Sequence, residues 1–123
     1  MIKKDIENRL IDFSVDISEW IIRLPRHPTV FHLKDQIIRS STSAALNYGE
    51  AQSAESKRDF IHKINIVMKE LRETKINLEM ISRLEMSMDK TKINALISEN
   101  DQLLAIFFRT LQTAKSNLRK AED

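Results

Sequence analysis

A chain of 123 residues with one glycine and two prolines has almost nothing from which to build tight hairpins. Long uninterrupted helices are therefore its default. A length of this order fits one domain spanning residues 1–123, large enough to bury a core without covalent staples. Charged residues at 31% and hydrophobic residues at 41% suit amphipathic helices and argue against disorder. The absence of cysteine excludes a disulfide framework, thiolate chemistry and cysteine-ligated zinc.

Periodicity divides the chain into four helices, expected over residues 3–24, 31–52, 57–84 and 90–120. Ile2, Ile6, Leu10, Phe13, Ile17, Trp20 and Leu24 recur at spacings of three and four, which places them on one stripe of helix 1. Pro25-Arg26-His27-Pro28 should stop that helix, since proline lacks a donor and restricts the residue before it. Leu33, Ile37, Ala44, Tyr48 and Ala51 make the apolar face of helix 2, whose middle, from Ser40 to Ala45, is built of small side chains. Such a stretch lets neighbouring helices approach closely.

Ser56 followed by Asp59 reads as a capping box for helix 3. From Phe60 the stripe positions Ile64, Val67, Leu71, Thr74, Leu78 and Ile81 alternate spacings of four and three without a slip, Thr74 being the one polar member. That 3.5-residue repeat predicts shallow left-handed packing. Asp89 is the expected cap of helix 4, with Ile93, Leu96, Ile97, Leu104, Phe107, Phe108, Leu111, Ala114 and Leu118 facing inward. Asn100 falls in the centre of that face and needs a polar partner or access to water. Short connections between such helices predict an all-α, antiparallel, up-down-up-down four-helix bundle.

Two surfaces exceed what the core requires. Ile11, Val15 and Ile22 lie roughly opposite Phe13 on helix 1, and Ile106 falls outside the inner face of helix 4. They are the expected self-association surface. On helix 3, Arg58, His62, Asn65, Lys69 and Arg72 follow at spacings of four and three, and Lys115, Arg119 and Lys120 lie near the C-terminus. These form a solvated charged face or a phosphate-backbone footprint. No aromatic platform is expected beside them, because Trp20 and Tyr48 read as packed.

Gln36, Arg39, Ser43, Asn47 and Glu50 fall within an arc of roughly 80° on helix 2, at about 100° per residue. The row is a recognition surface or, the favoured reading, an internal network in which Arg39 answers carboxylates such as Glu50 or, as the resemblance given below implies, Glu73. As a catalytic set it lacks a histidine base. Asp59-Phe60-Ile61-His62 is one loose analogue of a bundle di-metal motif with no second copy. No metal, cofactor, small-molecule substrate or enzymatic activity is expected. His27 and His32 flank the first loop, where exposure is the ordinary outcome. The charged N-terminus and the lack of a run of about 20 apolar residues predict a cytoplasmic protein without a membrane role.

The segment from Gln36 to Glu50 resembles the helix-2 signature of bacterial four-helix-bundle proteins related to those encoded in intervening sequences of the 23S ribosomal RNA. That ribosomal-protein-like family has glutamine, arginine, serine, asparagine and glutamate at the positions of Gln36, Arg39, Ser43, Asn47 and Glu50. An acid and a phenylalanine match Asp59 and Phe60, and a helix-3 glutamate matches Glu73, or Glu70 if the alignment slips. The chain departs from the pattern at Ala45, where proline is usual, and at Ala51, where glycine is usual. The resemblance implies a homo-oligomer, a pentamer in particular, and does not imply an enzyme. Five copies would together carry a formal charge of about +10, from +2 each. Two functions follow as expectations: a non-enzymatic oligomeric scaffold or adaptor that associates with RNA or an RNA-bound protein, or a protein-binding module without a nucleic-acid role.

Overall fold

The computed structural model describes residues 3–84, 86 and 89–122. Its elements are α1 (Lys3–Ile21), α2 (Pro28–Gln52), α3 (Lys57–Arg83) and α4 (Thr91–Glu122). Ile2, placed on the first stripe by its spacing, lies outside the described residues.

The boundaries follow local chemistry. The helix ends at Ile21 rather than Leu24, and the chain leaves it through a tighter turn, with Leu24 N donating to Ile21 O at 3.2 Å. Leu24 nevertheless stays buried, so its place in the periodicity reflects packing and not helix. α2 starts at Pro28, three residues before the expected Phe31. Proline is tolerated at a first helical position, where an N–H would have no partner. His27 is the cap, its Nδ1 accepting from Thr29 N at 3.2 Å.

Ser56 caps α3 as its sequence predicts, Oγ accepting from Asp59 N at 3.0 Å. The return arm reaches one residue further back than in a standard box, with Glu55 N donating to Asp59 Oδ2 at 3.4 Å. Asp89 Oδ1 accepts from Thr91 N at 2.9 Å and opens α4. That bond holds the Asp89 carboxyl below its usual range. Gly49 lies inside α2, and the helix continues through it to Gln52.

The helices form a closed square in which each packs on the next and α1 returns to α4 along the loosest seam. Neighbours run antiparallel: Arg39 meets Glu73 while Glu50 meets Lys63, and Lys75 meets Asp101 while Arg58 meets Glu122. The inner stripes supply one core, including Leu10, Phe13 and Ile17 of α1 and Ile64, Leu71, Leu78 and Ile81 of α3. Each such fully buried aliphatic side chain contributes about 1.5–3 kcal/mol relative to exposure. Tyr48 sits edge-on to Phe107, with centroids 5.4 Å apart.

The middle of the bundle is polar and buried. Thr74 donates to the Glu70 carbonyl at 2.8 Å and bonds Ser40 Oγ at 2.7 Å. Ser41 Oγ lies 3.2 Å from Ser14 Oγ. Small side chains on α2 thus meet both neighbours through satisfied hydroxyls. Asn100 departs from this rule and from both outcomes expected for it: it is fully buried, and neither carboxamide atom has a hydrogen-bond partner among the described residues.

The outward edge of α4 also differs from its sequence reading. Leu103 is fully buried, Ile97, Leu104, Ala114 and Leu118 are half-buried, and Phe108, expected inside, is 52% exposed. The apolar sector of α4 is wider than the space the other three helices enclose, and Phe108 lies at its rim.

Candidate nucleic-acid interface

The polar row of α2 faces α3 along its length. Arg39 donates from Nη2 to Glu73 Oε2 at 2.7 Å and from Nη1 to Glu70 Oε2 at 3.2 Å. The bond to Glu73, assisted by both negative charges, raises the Arg39 pKa. Glu50, one expected partner of Arg39, instead pairs with Lys63 at 3.2 Å. Antiparallel packing explains this, because Glu50 lies three turns further along α2, opposite the beginning of α3. Asn47 Nδ2 donates back to Ser43 O at 2.9 Å, and Gln36 Nε2 lies 3.2 Å from His32 Nε2. The row is a set of contacts along and across the α2–α3 seam.

The α3–α4 seam carries the basic residues. Asp101, Phe108, Lys115 and Glu122 recur every seven residues along one line of α4. Its two ends are tied to α3, Asp101 to Lys75 at 2.7 Å and Glu122 to Arg58. The hydrogen bond to Asp101 raises the Lys75 pKa. Between those ties lie Asn65, Lys69 and Arg72 of α3 and Phe108 and Lys115 of α4, all exposed. His62, Arg119 and Lys120 are exposed as well. Among the described residues, Arg58 is the one member of the candidate basic set with an ion-pair partner. Trp20 and Tyr48 are packed, as their spacing predicts, and burial is the main cause that raises the Tyr48 pKa.

The opposite side of the square is apolar. Ile11, Val15 and Ile22 are 45%, 47% and 77% exposed on α1. Ile22 also lines a groove of about 890 Å³ at the α1–α2 turn, together with Phe31 and Ile38 of α2. Spacing alone marks neither α2 residue: Phe31 falls at the expected start of the helix and Ile38 lies off its apolar face. Ile106 lies elsewhere, half-buried in a groove of about 820 Å³ beside Ile6, Phe60 and Ala114. Arg9 crosses that α1–α4 seam to Glu99 with bonds of 2.8 and 2.7 Å, which raise its pKa. Among the described residues no group of three or more His, Asp or Glu is placed to hold a metal ion. No helix there is long and apolar enough to cross a membrane.

A family model described as 23S rRNA-intervening sequence protein matches residues 3–109. The chain belongs to that family. A solved member of the S23 ribosomal protein family, a protein with unknown function from Bacteroides thetaiotaomicron, is 28% identical to this intervening-sequence protein. The match covers 91% of this chain and 99% of that one, with a TM-score of 0.81. No curated protein matches. The family match spans the whole of α1, α2 and α3 and more than half of α4, including the Gln36–Glu50 row and Glu73.

Proposed function

We propose that this intervening-sequence family member is a non-enzymatic, homo-oligomeric scaffold or adaptor that associates with RNA, or with an RNA-bound protein, through the α3–α4 face. The observation that carries this reading is the placement of two unlike surfaces on opposite sides of one bundle. An apolar face over α1 and α2, with Ile11, Val15, Ile22 and Phe31 exposed, suits contact between copies. Assembly through it leaves the cations of α3 and α4 directed outward, repeated once per subunit and fivefold in the pentamer that the family resemblance implies. A phosphate chain is the partner that such unpaired cations attract, and the attraction falls with salt.

The test is RNA affinity measured against salt concentration. The double variant Lys69→Glu, Arg72→Glu should weaken binding and lower the logarithmic salt slope by about 0.7 for each phosphate no longer neutralised. Undetectable binding at low salt, or binding indifferent to the two reversals, removes RNA from the reading.

The α1–α4 groove favours a second reading, a protein-binding module that accepts an apolar helix between Ile6, Phe60 and Ile106. Partner binding that survives nuclease and is abolished by Ile106→Asp would support that module.

A further inference from the structure

Phe108 is the aromatic side chain on the basic seam, and a core role does not account for it. It is half-exposed, whereas Phe107, its neighbour in sequence, is fully buried. The ties at either end of its line fix where it sits. Lys75 opposite Asp101 and Arg58 opposite Glu122 set the antiparallel register of α3 and α4, which puts Phe108 at the height of α3 between Met68 and Arg72. Lys69 and Arg72 are therefore across the seam from it, and Lys115 is two turns along its own helix. None of the three has an ion-pair partner among the described residues. The carboxylates of the line stand at its ends, where each is neutralised by its partner. What remains between them is a half-exposed aromatic ring flanked by cations that have no ion-pair partner among the described residues.

We infer that Phe108 is a stacking platform for an unpaired base of single-stranded RNA, whose phosphates are held by Lys69, Arg72 and Lys115. This rests on the RNA-associating reading above. Duplex RNA keeps its bases stacked inside the helix and offers a side chain no free ring face, whereas single strands do. Every base has such a face, so the contact selects for strandedness and not for sequence. The line from Asp101 to Glu122 is about 30 Å long at 1.5 Å per residue, room for a short run of nucleotides. Phe108 also supplies an aromatic platform that spacing alone does not predict beside the basic stripe.

The experiment compares a single-stranded oligouridine of about ten nucleotides with a duplex of equal length, binding to the full chain and to its variants. Phe108→Leu keeps an apolar side chain at this position but removes the ring, and should weaken single-strand binding about five- to hundredfold. Its salt slope and its duplex affinity should match the parent. Phe108→Trp should restore binding, with its added indole emission quenched by the oligonucleotide. Binding of the single strand by Phe108→Leu at parental affinity overturns the inference. Equal weakening for single strand and duplex does so too, as does a drop in particle mass by light scattering, which would make Phe108 a contact between copies. If Lys69→Glu, Arg72→Glu weakens RNA binding while Phe108→Leu does not, the stacking site alone falls. If the parent binds no RNA, the broader reading falls with it.

Discussion

Asn100 sets up a test in which a conservative-looking polar residue should prove costly. Its side chain is 0% exposed, and both carboxamide atoms lack hydrogen-bond partners among the described residues. An amide taken out of water without compensation costs about 1–3 kcal/mol in proteins. Asn100→Leu removes that cost, keeps the branch at Cγ and the heavy-atom count of the side chain, and extends the apolar layer formed by Leu96, Leu103 and Phe107. The variant should thus be more stable by about 1–3 kcal/mol. For 123 residues the unfolding entropy is roughly 0.26 kcal/mol per kelvin, so the melting midpoint should rise by about 4–12 °C. Urea unfolding followed by circular dichroism, at matched protein concentration, should show a higher midpoint with an unchanged slope. Asn100→Ala, which removes the amide but leaves a hole, should gain less. Equal or lower stability for Asn100→Leu would refute the reasoning, because the carboxamide would then have a partner worth keeping.

Arg39→Ala should destabilise the fold by about 1 kcal/mol, a modest sum because the guanidinium is largely exposed and screened. The effect should shrink in high salt, and Arg39→Lys should recover only part of it, since one ammonium cannot match the planar fork that reaches Glu70 and Glu73. Aspartate at both Val15 and Ile22 should shift the particle to a smaller mass by light scattering while circular dichroism stays helical. Unchanged mass would show that the α1–α2 face is not where copies meet.

Much of this architecture is legible from spacing. The four-three alternation from Ile64 to Ile81 names buried positions of α3 without an error, because one uninterrupted helix flanked on two sides leaves a single stripe inside. Ser56 and Asp89 mark helix starts through side-chain oxygens that have local work to do. Pro28 misleads for an equally local reason: proline both ends helices and begins them, and His27 decides for a beginning.

The candidate surfaces are harder to read. Leu103, Leu104, Phe107, Phe108 and Leu111 span an apolar sector wide enough for either edge to face the core, and the position of α3 and α1 decides which edge does. One signal was available for Phe108. Its neighbours at seven residues on either side, Asp101 and Lys115, are both charged, which marks the line as a rim. Arg39 could be matched to Glu73 only through the resemblance, since nothing in the spacing of α2 reveals the phase of α3. Glu70 as its second partner required coordinates.

Ser40 and Ser41 point to different neighbours, the first to Thr74 and the second to Ser14. A slide of α2 by one residue would move it about 1.5 Å and turn it about 100°, undoing both bonds together. The alignment of three rods is thereby keyed at mid-length, far from the connecting segments. Extra residues inserted after Ala54 would lengthen the tip of the molecule without re-phasing its shaft. Variation in those links is cheap, and variation at two adjacent serines is not.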